Sequence, residues 1–466
     1  MFDDATRLGQ RLASSEVTSV ELVIDYLSRI ERLNAPVNAF TIIDSEGAMV
    51  AALASDDRRA AGTSFGPLDG VPMTIKDEFN TVGVQSTSGF AELLGNVPDR
   101  DCTSVERLRE AGAVVMAKTT LPPGAADIQT YSPAFGTTNN PWDLARTPGG
   151  SSGGAAVSLA MNFCGLELGS DIGGSIRTPA AWTGVYGHKP TWGILPGRGW
   201  ATGKEPWFTE VDIAAPGPMA RSARDLRMAM NVLAGAGELD APGWTLKLPA
   251  STVSDLRGLR VAAWIDEPTN RSDAVTVEVL TRLIADLESA GAIVDTEARP
   301  PTSYSDQIEL YLYMLLAALS ADSPSESAVM SHGEWLHREA QRDFLRREWR
   351  DFFSTGGRAG SGFDVMIAPC VVTTAIAHQH AGAVSSRSVV IDGVTRPYMD
   401  MLWWAGLVGN VRLPSTAVPA GFGRNGMPVG AQIVGAPYAD NTTLAVAELL
   451  DEAGITNFVP PPMALG

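Results

Sequence analysis

Between Thr147 and Ala180 the chain reads TPGGSSGGAAVSLAMNFCGLELGSDIGGSIRTPA. This stretch limits the possible folds more than any other. Paired glycines allow sharp turns and close backbone approach, and they weaken regular structure where packing has no use for them. Two glycine-flanked serine clusters therefore read as two tight turns. The apolar FCGLELG between them reads as a buried strand, and SIRTPAAWTG opens a new element after the second turn.

The flanking sequence alternates helix and strand. Thr18 with Glu21 forms a capping box before Leu22, Tyr26, Ile30 and Leu33, which follow helical spacing. A helix is expected over about 46–61 and a strand over about 71–77. Thr103 with Glu106 predicts a second capping box, with a helix ending at Gly112 and the strand AVVMAKT directly after it. LRVAAWID, DAVTVEVLTRLIADLESAG, AIVDTEA and FDVMIAP continue the alternation. Asn425-Gly426 marks a hairpin, and a last helix is expected over about 442–453. The expectation is an α/β fold, one domain over residues 1–466 built as an α/β/α sandwich around a mixed, mostly buried sheet. Its parts are N-terminal helices over 1–65, a core over 66–190, and variable segments, expected on the side where a substrate would bind, over 191–217 and 300–360.

Hydrophobic residues make up 45% and charged residues 19%, enough apolar content for a sizeable core. The net charge of −18 argues against a nucleic-acid partner, which would ask for a basic face. Met1-Phe2-Asp3-Asp4 lacks the basic start and apolar run of a secretory leader. The most apolar helical run, Leu310 to Leu319, has about half the ~20 residues a membrane span needs. Cys102, Cys164 and Cys370 form no short-spaced pair, so neither a disulfide framework nor a structural zinc is expected. His378 with His380, and His332 with His337, lack the further ligands of a metal site. A reduced, cytoplasmic protein without metal or cofactor is the expectation.

The second serine cluster has the makings of a nucleophile. A strand ending in Gly173-Gly174 puts successive N–H groups on a concave surface that stabilises developing negative charge. Ser175 sits at its end, with the amides of Ile172, Gly173, Gly174 and Ser175 available to an oxyanion. A serine hydroxyl needs a base. His188, in YGHKP, has no triad-like context and reads as structural. Lys76, at the end of VPMTIK, could supply a neutral amine if burial lowered its pKa, and Ser151 could relay the proton. Asp77 would oppose this, but strand alternation sends it to the other side.

These residues carry a resemblance. Lys76 in DGVPMTIKD, NPWDLARTPGGSSGG from Asn140 to Gly154, and GSDIGGSIRTPA from Gly169 to Ala180 resemble the amidase signature family of serine hydrolases. GPMARSARDL and VPAGFGRNGMPVGAQIVG extend the resemblance over most of the chain. It implies a Ser–cisSer–Lys triad, with Ser175 as nucleophile, Ser151 as relay after a cis Gly150–Ser151 peptide, and Lys76 as base. Ser152, Asp171 and Arg177 are then supporting residues. Family members cleave amides, anilides, peptides and carbamates, so a small-molecule amide or carbamate substrate is expected, with urethanase, aryl acylamidase or esterase activity included. A monomer or homodimer is expected. Tyr131, Trp192, Trp200 and Trp207 are the candidate pocket residues; the alternative is that the tryptophans staple the 191–217 loop to the body. For Trp403-Trp404, core packing is favoured.

Other readings compete. GSSGG also fits the nucleophile elbow of α/β-hydrolases with Ser152 attacking, but polar DLARTP supplies no preceding strand. Neither cluster ends as a P-loop does. One alternative is the amidase-like component of a glutamyl-tRNA amidotransferase, its A subunit, which resembles the same family and releases ammonia from glutamine. A non-enzymatic binding or scaffold protein on the same fold is another.

Overall fold

The computed structural model describes residues 2–200, 210–320, 330–356 and 360–466. Among these, eleven strands form one mixed sheet. Their order is Phe40–Ile43, Val114–Thr119, Pro72–Lys76, Leu166–Asp171, Ala215–Ala220, Tyr186–Lys189, Ser415–Phe422, Pro428–Val434, Val365–Pro369, Arg260–Ala263 and Ile293–Asp295. Pro72–Lys76 runs parallel to both its neighbours, and the last three strands are mutually parallel. The other pairings are antiparallel. The fold is the expected α/β sandwich, with helices flanking the sheet.

Every residue of Pro72–Lys76, Val114–Thr119 and Leu166–Asp171 is buried. Strands covered on both faces need continuous apolar runs rather than alternation. That is why VVMA and LEL stand out in the sequence. The hairpin around Asn425-Gly426 forms from Ser415–Phe422 and Pro428–Val434, with Gly426 at φ 75°.

The helix Ser19–Val37 starts at Thr18 with the full capping box and buries Leu22, Tyr26 and Ile30. The Thr103 expectation is corrected. Cys102 is the N-cap, Thr103 is already helical, and no side chain caps this end of Thr103–Glu110. The strand Ala215–Ala220 was not anticipated, because Pro216 and Pro218 argue against a central strand. Its ladder to Tyr186–Lys189 involves only Met219 and Ala220. On that side, neither proline faces a strand that needs its missing donor.

All three cysteines are free and buried. Among the described residues no three His, Cys, Asp or Glu side chains converge as for a metal ion, and no helix is long and apolar enough to cross a membrane. His188 is buried between Thr416 Oγ1 at 2.9 Å and Asp440 Oδ1 at 3.2 Å, a structural histidine as expected.

Candidate active site

Lys76 ends its strand fully buried. Its Nζ lies 2.7 Å from Ser151 Oγ and 2.8 Å from Ser170 Oγ. Glu78 Oε1 stands 3.4 Å away. Burial pushes the ammonium down from its usual range, the Glu78 charge pushes it back up, and the net shift is downward. Asp77 does turn away: it accepts from the amide and hydroxyl of Thr87 and lies 3.5 Å from Lys118 Nζ.

The first cluster presents Ser151 from a turn held on several sides. The Gly150–Ser151 peptide is cis. A Cβ on Gly150 would meet the Asp127 carbonyl oxygen at 2.7 Å, so the loop closes only on glycine. Thr130 Oγ1 donates to the Gly149 carbonyl at 2.9 Å and accepts from the Gly153 amide at 3.1 Å. The Ser152 amide donates to the Ser175 carbonyl at 3.1 Å and joins the two clusters. Ser152 Oγ donates to the Ser170 carbonyl at 3.2 Å, and the side chain is fully buried. Among the described residues no strand leads directly into Ser152. The elbow arrangement is therefore absent.

The second cluster is fastened by Asp171, the last residue of its strand. Asp171 accepts from the amides of Gly174 at 2.8 Å and Ile176 at 3.1 Å. Arg177 grips the same carboxylate through Nε at 3.0 Å and a terminal nitrogen at 2.7 Å. Burial opposes the carboxylate charge, but the Arg177 charge and these hydrogen bonds win and hold Asp171 below the usual range. The oxyanion expectation is corrected at one position: the Gly174 N–H points to Asp171 and is unavailable. Among the described residues the amides of Ile172, Gly173 and Ser175 have no protein acceptor. Arg177 also donates to Gln432 Oε1 at 2.9 Å. Removing the guanidinium would leave Asp171 charged, buried and unpaired. Arg177→Leu is therefore expected to cost about 3–5 kcal/mol in urea unfolding; a loss under about 1 kcal/mol would mean the pair is not what fastens this turn.

Of Lys76, Ser151 and Ser175, it is Ser175, 7% exposed, that lines a cavity. That cavity has a volume of about 280 Å³. Its walls are mostly apolar, with Leu315, Leu316 and Leu319 on one helix and Val384, Met399 and Leu402 opposite. The helix Tyr304–Ser320 is the apolar run noted in the sequence, within the 300–360 segment expected on the substrate side. Among the described residues Asp127 is the charged one on the wall, and Arg387 is paired with it.

The aromatic expectation is corrected. Trp192 lies away from the cavity, with Nε1 on the Val211 carbonyl at 2.9 Å and the Arg412 guanidinium over its ring at 4.3 Å. Trp200 packs edge-on against Phe79 at 5.6 Å. Both staple the loop, the alternative weighed for them. Trp207 lies outside the described residues. Tyr131 is one contact removed from the cavity: its hydroxyl donates to Asp127 Oδ2 at 3.1 Å, and its ring stacks on His380. Of the pair expected to pack in the core, Trp404 is fully buried against Trp264 and Tyr304, while Trp403 is half-buried and donates to Asp400 Oδ1 at 3.1 Å.

Sequence reasoning missed Ser170, Glu78, Thr130, Asp127 and Gln432. Ser170 carried a signal, since it lies inside the GSD of the second cluster. Gln432 carried none, being a single polar residue in an apolar strand.

A model of the family described as Amidase matches residues 21–329 and 315–444. The chain belongs to the amidase family. Among its relatives is the A subunit of the glutamyl-tRNA(Gln) amidotransferase of Carboxydothermus hydrogenoformans (strain ATCC BAA-161 / DSM 6008 / Z-2901), 30% identical over 484 residues with 96% of each chain covered. A crystal structure of an amidase superposes with a TM-score of 0.78 at 27% identity, covering 97% of this chain and 100% of that one. A bacterial aryl acylamidase of the amidase signature family shares the fold with a TM-score of 0.79 at 24% identity, covering 97% and 96%. This amidase thus keeps the family pattern over residues 21–444 and the fold over nearly all of its length.

Proposed function

We propose that this amidase hydrolyses a carbonyl C–N bond of a neutral, largely apolar substrate through an acyl-enzyme on Ser175. The observation that carries the proposal is the buried 2.7 Å contact between Lys76 Nζ and Ser151 Oγ, beside the one reactive serine that opens to a cavity. Ser175 Oγ attacks the carbonyl carbon. Its proton passes to Ser151, whose own proton passes to Lys76. The carbonyl oxygen becomes an oxyanion held by the amides of Ile172, Gly173 and Ser175. The C–N bond then breaks as Lys76, again through Ser151, returns a proton to the departing nitrogen. Water repeats the sequence on the ester to free the acid and regenerate Ser175. Anilides and carbamates place a carbonyl and a nitrogen leaving group in the same relation, so the same groups serve them.

A second reading has specific support. The near-full-length identity to an amidotransferase component favours glutamine as the amide, with partner subunits receiving the ammonia. Glutamine carries two charges, and among the described residues the cavity offers mostly leucine, valine and methionine plus an Asp127 already paired with Arg387. Desolvating such charges without partners is costly. The cavity therefore favours a substrate without them.

A screen of glutamine, acetamide, anilides and aryl carbamates separates the readings: turnover of glutamine alone would overturn the first. Leu316 is 44% exposed, so the fold should tolerate Leu316→Asp. It is expected to raise KM for an apolar anilide about tenfold, the loss of one buried aliphatic contact, and to leave acetamide unchanged. Trp192→Ala should move neither value. Equal changes for both substrates would remove the apolar cavity as the acyl or leaving-group site.

A further inference from the structure

Two serines and a carboxylate surround the Lys76 amine. The carboxylate, Glu78, has no place in the relay. It is 4% exposed, its Oε1 lies 3.4 Å from Nζ, and that oxygen has no hydrogen-bond partner among the described residues. A buried carboxylate oxygen without a hydrogen bond is costly unless a charge faces it. Among the described residues the cation within salt-bridge distance of it is Lys76 itself.

The other charged groups around the amine are already engaged. Glu167, on the neighbouring strand, accepts from Thr74 and Thr119, and burial pushes it up to about 8. Asp171, at the end of that strand, is held by Arg177. Lys118, on the strand at the other side, donates to the Phe79 carbonyl and Ser86 Oγ, each at 2.7 Å, beside Asp77. Among these described carboxylates, Glu78 is the one that turns an otherwise unbonded oxygen toward Lys76.

Resting on the reading of Lys76 as base, we propose that Glu78 is a positioning residue for its amine: the carboxylate sets how much of the enzyme holds Lys76 ready to accept a proton, and it stabilises the ammonium once the proton arrives. The two effects oppose each other in rate. Below the working range the carboxylate keeps Lys76 protonated and slows the enzyme. Above it, the same charge makes the amine a better proton acceptor in the transition state. Replacing the charge should therefore speed the enzyme at low pH and slow it at high pH.

The test is the rate of covalent labelling of Ser175 by a fluorophosphonate as a function of pH. Fluoride leaves without needing a proton, so the profile reports activation of the nucleophile and requires no known substrate. Wild type, Glu78→Gln and Glu78→Asp are compared. For Glu78→Gln the rising limb is expected about one pH unit lower, with a plateau about three- to tenfold below wild type, so that the two curves cross. Glu78→Asp, which keeps the charge, should hold its limb near the wild-type position. A Glu78→Gln profile with the wild-type limb and only reduced amplitude would overturn the proposal and make Glu78 structural. So would equal displacement in both variants. A wild-type profile with no rising limb would instead remove Lys76 as base, and this proposal with it.

Discussion

In Ser175→Ala, hydrolysis and fluorophosphonate labelling are both expected to disappear, with turnover lower by roughly 10⁴–10⁶-fold. The fold should not notice. The change removes one oxygen from a side chain that already touches the cavity, and the Ser175 carbonyl still accepts from the Ser152 amide. The unfolding midpoint in urea is expected to match wild type. Neither neighbouring serine of the first cluster is placed to substitute. Ser151 is buried against Lys76, and Ser152 is committed to the Ser170 carbonyl. Covalent labelling that survives in the alanine variant would mean another residue attacks, and the proton path through Ser151 would have to be redrawn.

Lys76→Ala should lower amide hydrolysis by roughly 10³–10⁵-fold, because the proposed relay, base and nucleophile would act as a unit. Aryl esters should lose less, since a phenoxide leaves without the proton that an amine requires. The pH dependence fixes the sign. Burial holds Lys76 below the usual ~10.4, and only the unprotonated amine accepts a proton. Activity of the wild type should therefore rise with pH through that lowered value and fall away in acid, as the ammonium forms. In Lys76→Ala this limb should vanish. If the alanine variant keeps the wild-type limb, the titrating group is not Lys76.

What the sequence revealed, and what it hid, follows from where each signal lives. Buried strands need apolar runs, so Leu166–Asp171 and Val114–Thr119 could be read directly. Glycine turns need glycine, so both serine clusters could be placed. Gly150, where a Cβ would strike the Asp127 backbone, shows why no other residue serves. The cavity wall was harder. Aromatic residues in an irregular loop suggested a pocket, yet Trp192 and Trp200 pack onto the body, and the wall takes its leucines from the apolar helix Tyr304–Ser320. Apolar residues facing a cavity and apolar residues facing a core have the same spacing. Only tertiary placement separates them. Glu78 escaped for a related reason: strand alternation predicts Asp77 well, but says little about a side chain beyond the strand's end.

The contact between Arg177 and Gln432 joins positions 255 residues apart, and the strand that carries Gln432 lies deep in the same sheet. This sets a timetable for synthesis. A ribosome delivers Lys76, Ser151 and Ser175 well before Gln432, which follows Arg177 by 255 residues. Until then Arg177 lacks one of its buried acceptors, and the sheet lacks the two strands that join Tyr186–Lys189 to Val365–Pro369. The nascent chain then carries Lys76, Ser151 and Ser175 before the Arg177–Gln432 contact can form. Hydrolysis should begin abruptly, once the strand that carries Gln432 has emerged, rather than grow as the chain lengthens.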